Sequence, residues 1–574
     1  NNNWTTNNIS LNAGVTYDSM TDVPTLTSAT ASNFCVFSPI NSTNTGGATI
    51  SNGNLQIYCP GNPATEQTFA GTVATPSNFY CEFIYTGVNN GLAAGILDSS
   101  YQLISTGNFQ SNYSKVWGLV GYNGVLRNNA ITLATYGAIS SATVVAMACS
   151  PSTGKLWFGT ASGGTTTWYA SGNPATGANA GATNLVTSSS YMPYAEVGVS
   201  GEQVTINCGQ QPFVGSIPSG FVALNTYNLP DSTIVKGNTV FDATLYTANG
   251  STQTITNAAG FKPDFVWTKA RSIAYSSNLY DSTNGVNNYL VSNTNAAQTT
   301  LANTLTSFNS NGYTLGSQDG SNYSAGHTAV GWQWQAGQGS TSSNTNGTIT
   351  STVSVNASAG FSVVTYTGNG AAGATIGHGL GVAPSLIIVK NRSTGSTSWP
   401  VYHKSIGATN WLSLDTTGAS AANAVLWNNT SPTSSVFSTG ISLYVNGSGS
   451  TFVAYCWTPI AGYSAFGAYS GNGSTDGPFI YTGFRPKFVM IKRYDVGSPW
   501  VMLDSSRNTY NVVNNYLLPN TAGAEGSGSS PNDIDDFLSN GFKVRCSNAG
   551  QNASGGGYIY MAFAESPFRN SLAR

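Results

Sequence analysis

Three histidines, a short run of carboxylates, seven cysteines and twelve tryptophans are the residues here whose types could do chemistry. His327, His378 and His403 could serve as general bases or metal ligands, but none has an Asp, Cys or second His at ligand spacing. Asp533, Asp535 and Asp536 could suggest the two carboxylates of a glycan-cleaving enzyme. Three acids within four residues read better as a solvated loop or a weak cation site. No Gly-x-Ser-x-Gly elbow stands between a strand and a helix, and the glycine-rich loops lack the Lys-Ser/Thr that would complete a phosphate cradle. The expectation is of no catalytic residue, no cofactor and no metal site, and hence no enzyme.

The cysteines are Cys35, Cys59, Cys81, Cys149, Cys208, Cys456 and Cys546. They form no Cys-x-x-Cys pair, and most sit beside aromatic or β-branched neighbours, as in Phe34-Cys35-Val36 and Tyr455-Cys456-Trp457. They read as small apolar strand residues, mostly buried and unpaired. A disulfide among the five N-terminal cysteines is compatible with the sequence but cannot be paired from it. Exposed tryptophan and tyrosine faces could stack on sugar rings while neighbouring Asn, Ser and Thr bond the hydroxyls. Trp267, Trp334 and Trp457 fall in strands and read as core. Trp399, Trp427 and Trp500 fall near loop or turn sequence and are the candidate binding contacts.

The elements that must position these residues are strands. Only 7% of the 574 residues are charged, against about 25% in ordinary soluble chains. The net charge of −2 offers no field for a polyanion, which excludes nucleic-acid binding as the main task. Aromatics at 11% and hydrophobics at 40% exclude disorder. Amphipathic helical runs are missing, as is any apolar stretch of about 18 residues, so the chain reads as all-β with no membrane insertion.

Three segments repeat one signature, Gly-x-x-Pro followed by an apolar strand and a lysine: Gly260 to Lys269, Gly381 to Lys390 and Gly483 to Lys492. Upstream of each proline lies a tyrosine opening an Asn-Gly turn: Tyr246 with Asn249-Gly250, Tyr366 with Asn369-Gly370, Tyr469 with Asn472-Gly473. Asn-Gly is a strong hairpin signal because both residues accept positive φ. Downstream, Phe308 and Phe537 head matching Ser-Asn-Gly turns, with a weaker Phe437 in the middle copy. Each copy closes on an aromatic strand, at Gly331 to Trp334, Val453 to Trp457 and Tyr558 to Phe563. The acids at 533–536 have no counterpart in the other copies and are not part of the shared design. Units of this size can bury their own cores, so the reading is of successive domains at 236–345, 346–460 and 461–574. Gly337 to Asn346 reads as a flexible linker.

Residues 1–235 lack this signature and read as an antiparallel sandwich. Phe79 to Phe83, Trp117 to Gly124, Ser152 to Gly159 and Val204 to Phe213 resemble, in that order, the motifs of a SPRY-type domain. The flanks Tyr17 to Thr25 and Gly220 to Ile234, and the ending Tyr558 to Phe568, resemble the borders and close of tailed-bacteriophage virion proteins. The fold expectation is therefore all-β: a SPRY-like antiparallel sandwich followed by three tandem copies of a second β-rich module. By the same resemblance, an attachment segment before Asn1 is expected.

The resemblance implies a bacteriophage virion structural protein, a tail fibre or surface appendage that binds the host surface non-enzymatically through loops. It implies other virion proteins as partners, a host surface glycan or protein as receptor, a homotrimer, and a place on the particle surface. Two further readings stand beside it. One is an architectural capsid-decoration or tail component without host contact, and the other is a polysaccharide-cleaving tailspike. In the first domain, the connections Pro60 to Gly71 and Thr160 to Thr183 are the longest candidate recognition loops. Being almost uncharged, they gain little from electrostatic steering.

Overall fold

A computed structural model describes residues 28–29, 31–103, 114–528 and 535–570. The flank Tyr17 to Thr25 and Asp533 lie outside the described residues. The fold is all-β, with antiparallel sheets and only single-turn helices such as Ala424–Trp427 among the described residues. The chain divides into two compact units, which meet in sequence at Asp231 and Ser232.

The first unit holds two large sheets. In one, Phe79–Thr86 lies between Val144–Ser150 and Gln203–Asn207, and Val144–Ser150 pairs onward with Lys155–Ser162. The second sheet contains Val116–Val120, beside Ala93–Asp98. Phe79–Thr86 is buried on both faces for most of its length, as a near-continuous apolar run requires. The Tyr85 hydroxyl crosses between the sheets to the Leu119 carbonyl at 3.0 Å, so the two pack face to face as a β-sandwich. The supposed long loop at 160–183 is much shorter. Ser162 and Thr165 pair across a two-residue Gly163-Gly164 turn, both glycines with positive φ. The remainder of that stretch is tied down by Lys155 and Trp157, which donate to the carbonyls of Gly177 and Ala178. Likewise 67–71 is a buried strand rather than loop.

In the second unit the three segments use one strand plan. An opening strand (Phe241–Thr247, Phe361–Thr367, Ser464–Ser470) pairs with the closing strand (Thr328–Trp334, Thr451–Trp457, Gly557–Pro567). The closing strand pairs on its other side with the Pro-to-Lys strand (Phe265–Ala270, Leu386–Asn391, Phe484–Arg493). A fourth strand comes next (Asn278–Asp281, Pro400–His403, Trp500–Asp504). The registers coincide: Phe265 faces Trp334, Leu386 faces Trp457, and Phe488 faces Phe563. The landmark phenylalanines 308, 437 and 537 fall in a smaller second sheet of each segment.

Two expectations change. The Asn-Gly turns are not hairpins; in the first two segments, for example, they carry the chain from the main sheet to the small one. Only the glycines take positive φ, near +70° in all three. A buried asparagine holds each turn instead. Asn322, Asn446 and Asn552 accept from the backbone N–H of Asn249, Asn369 and Asn472 at 3.1, 2.9 and 2.8 Å. Their amides donate back to the carbonyls of Ser251, Ala371 and Ser474. The landmark tyrosines 246, 366 and 469 bond the residue just before that asparagine.

The second change concerns the segments as successive domains. Alternation along a strand sends Val266 and Ile387 outward to the segment's own small core, and Phe265, Trp267, Leu386, Ile388, Phe488 and Met490 inward to one shared core. At its centre Trp334 packs 6.2 Å from Trp457 and 5.7 Å from Phe563, the equivalent residues of the other two segments. The three segments are one unit. The linker at 337–346 is pinned as well. The Asp264 carboxylate accepts from the backbone N–H groups of Ala336, Gln338 and Gly339 at 2.6–2.7 Å, and Ser342–Asn344 is a strand.

Candidate functional site

The three segments close a ring through repeated contacts between neighbours. From the second to the first, the Tyr455 hydroxyl donates to Asp281 and the Trp399 indole to the Thr294 carbonyl, both at 3.0 Å. From the third to the second, Trp500 donates to the Ser413 carbonyl at 2.9 Å and Lys492 to the Thr417 carbonyl at 3.1 Å. From the first to the third, Trp332 donates to Asp504 at 3.1 Å, Lys269 donates to the Thr521 carbonyl at 2.9 Å, and Arg271 grips Glu525 with two bonds.

Of the lysines that end the repeated strands, Lys269 and Lys492 serve this ring, and Lys390 bonds within its own segment. Lys269, Lys390 and Lys492 are buried, and burial pulls each down to about 8. Their ammonium groups donate to main-chain carbonyls rather than to a ligand.

This arrangement removes the expected binding contacts. Trp399, Trp427 and Trp500 are 0%, 1% and 2% exposed, so none offers a ring face for stacking. Trp399 and Trp500 head fourth strands that turn inward at the seams, and Trp427 ends a helical turn capped by Asn423 and lies edge-on to Tyr402. Their nearness to loop sequence hid the fact that a seam is an interior.

The histidines are also interior. His403 meets the Tyr560 carbonyl across a seam, and burial pulls its pKa down to about 3. His378 meets the Thr433 carbonyl, and burial lowers it too. His327 is buried as well. Of the aspartates at 533–536, Asp535 exchanges backbone bonds with Val513, and Asp536 pairs with Arg545. Other carboxylates anchor loops: Glu82 accepts from the N–H groups of Val214 and Gly215, and Glu202 from those of Gly91, Gly198 and Val199. No group of three metal-ligating side chains occurs among the described residues. All seven cysteines are buried and free; the Cys35 thiol donates to the Val73 carbonyl, and burial raises Cys35, Cys81 and Cys208.

The aromatic faces that do reach solvent are tyrosines. In the first segment Tyr323 is 56% exposed and Tyr275 is 37% exposed. Tyr275 lies on Gly320, where a Cβ would stand 2.1 Å from the ring, so only glycine fits beneath it. The loop under both is rigid. Asp319, fully buried, accepts from the Tyr280 hydroxyl at 2.6 Å, the Asn278 amide at 3.0 Å and the Ser321 N–H at 2.8 Å. Partial burial, and then the charge of Asp319, push the Tyr275 hydroxyl up and keep it neutral. Two phenol faces among Ser and Asn groups can stack on a sugar ring and bond its hydroxyls. No spacing rule marks this pair, because Tyr275 and Gly320 are far apart in the chain. Tyrosine faces fall within the sequence reading, but the named candidates are all tryptophans.

Fold and sites together define an antiparallel β-protein whose second unit is a closed ring of three like segments around an aromatic core. Residues 236–567, the span of all three, match the family described as "Domain of unknown function (DUF7483)", and the chain belongs to that family. No curated protein matches the chain. Among solved structures, the chain is similar to the SPRY domain of human HERC1 at 15% identity. That match covers 31% of this chain and 99% of the other, with a TM-score of 0.23. The TRIM65 PSpry domain is 12% identical over 30% of this chain and 92% of its own, with a TM-score of 0.24. Stonustoxin is 13% identical over 30% of this chain and 27% of its own, with a TM-score of 0.22.

Proposed function

We propose that this chain is a structural protein of a bacteriophage particle, a tail fibre or surface appendage that binds the host surface without turnover. The observation that carries the reading is the ring itself. Three like segments share one aromatic core, and the chain's scarce charges are spent largely on holding seams and loops, as Lys269, Asp264 and Arg271 do. Such a body is a rigid support for recognition loops, of which the Tyr275 and Tyr323 platform is the best placed. Partners on this reading are other virion proteins and a host surface glycan or protein. The chain would act as a homotrimer on the particle surface, with several weak contacts adding up through multivalency.

A second reading, an architectural component of capsid or tail without host contact, is favoured by the burial of Trp399, Trp427 and Trp500. Antibody labelling of particles under the electron microscope separates the two. Label on fibres or tail tip supports the first reading and label spread over the capsid supports the second. Particles carrying no label, with the protein absent from their composition by mass spectrometry, would overturn both.

A further inference from the structure

Where the chain enters and leaves the ring unit, the seam between the third and first segments opens into a cleft of about 260 Å³. The equivalent seam between the first and second segments is closed by the connecting chain, whose N–H groups cap Asp264 just before Phe265. In the third segment Lys487 stands just before Phe488, the register equivalent of Phe265. There a lysine lines the cleft where its counterpart is an occupied aspartate. Gly237 lets the entering chain press on the leaving strand, since a Cβ there would meet the Ala564 carbonyl at 1.9 Å. That approach sets Lys236 and Asn238 across from Glu565 and Ser566.

The carboxylates in this cleft already have partners. Asp242 accepts from the N–H groups of Ala243 and Ala258 at 2.9 Å and from the Thr244 hydroxyl, and Glu565 is paired with Arg485. Lys236 and Lys487 make no ion pair among the described residues. Two uncommitted ammonium groups beside an amide and a hydroxyl in a polar recess suit a single negative charge on a hydroxyl-rich molecule.

We propose that this cleft binds an acidic sugar, its carboxylate between Lys236 and Lys487 and its hydroxyls on Asn238 and Ser566. The proposal deepens the host-binding reading and rests on it for the ligand's source, while the test reads the cleft alone. Isothermal titration of the full chain with galacturonate should saturate in the millimolar range expected of one sugar, with galactose at least tenfold weaker. The K236M/K487M double variant should lose binding at least tenfold while its melting temperature holds. K236M alone, at an exposed position, should weaken binding severalfold if the double variant fails to fold. Galacturonate binding no better than galactose, or unchanged in a folded lysine variant, overturns the proposal. Inorganic phosphate binding as tightly as galacturonate would remove the sugar from it. Cells left unbound by a protein that still takes up galacturonate would sink the host reading and leave the cleft standing.

Discussion

The Tyr455 hydroxyl of the second segment donates to the buried Asp281 carboxylate of the first at 3.0 Å, and the Tyr455 ring stacks on Phe265 at 4.3 Å. The position of Tyr455 is held by Trp332 in the first segment and Met561 in the third, and that of Asp281 by Asp504 and His403. Trp332 and Asp504 make the same kind of bond. Met561 cannot donate, and at that seam His403 takes a main-chain partner instead, the Tyr560 carbonyl. Tyr455→Phe keeps the stacking and removes only the donor to a buried anion. It should cost about 1–3 kcal/mol in urea unfolding, and a loss below a few tenths would remove the seam bond from the account.

Asp264 organises the passage from the first to the second segment by accepting three backbone N–H groups. Asp264→Ala leaves those donors without their acceptor in a buried place. The expected outcome is a stability loss of about 2–4 kcal/mol and new protease cleavage within 336–346. Resistance of that stretch equal to wild type would show that the connection is held by something else.

The shared core makes a thermal prediction. Residues 232–571 should unfold in one calorimetric transition, because Trp334, Trp457 and Phe563 lose their packing together. The full chain should then show no more than two transitions, one per unit. Four would restore the picture of independent domains.

His403 gives a pH dependence of known sign. Its folded pKa is pulled down to about 3 by burial, below the ordinary value of 6.5. The unfolded chain therefore binds a proton that the folded chain refuses between these values. Stability is fully present above about 6.5 and is lost as pH falls toward 3, at up to about 1.4 kcal/mol per pH unit. Burial lowers His378 in the same direction. His403→Gln should flatten the slope between pH 6.5 and 4.5 relative to wild type, and an unchanged slope would place the titration elsewhere.

Much of this fold can be read from spacing. The Gly-x-x-Pro strands, the closing aromatics and the Tyr-Asn-Gly openings recur because each segment must place the same residues at the same register, as Phe265, Leu386 and Phe488 show. The shared core is not legible in that way. A strand buried on both faces looks alike whether its second face meets its own segment or another. The clamps Asn322, Asn446 and Asn552 were within reach: each begins an Asn-x-Ser triplet at a matching place, in a chain where such triplets are too common to notice. The tryptophans went astray because turn-like sequence around Trp399 and Trp500 lies at seams, and the Tyr275 platform depends on a distant glycine that no local pattern reveals.

The clamps also carry a prediction. Each asparagine is fully buried and makes one acceptor and several donor bonds to the main chain. Asn446→Ala and Asn552→Ala should each cost about 2–4 kcal/mol. The two should be similar in size, since the bonding is the same. A cost near zero for one of them would mean that its turn is held by the flanking strands alone.

The claim of host binding without turnover is tested most directly by adsorption. On the proposed phage reading, this chain, purified and mixed with cells of a host bacterium, should bind saturably and compete with phage particles. It should release no reducing sugar from the cell surface, and Y275A/Y323A should bind several-fold more weakly while staying folded. Release of oligosaccharide, or a folded protein that leaves the cells bare, would contradict the account.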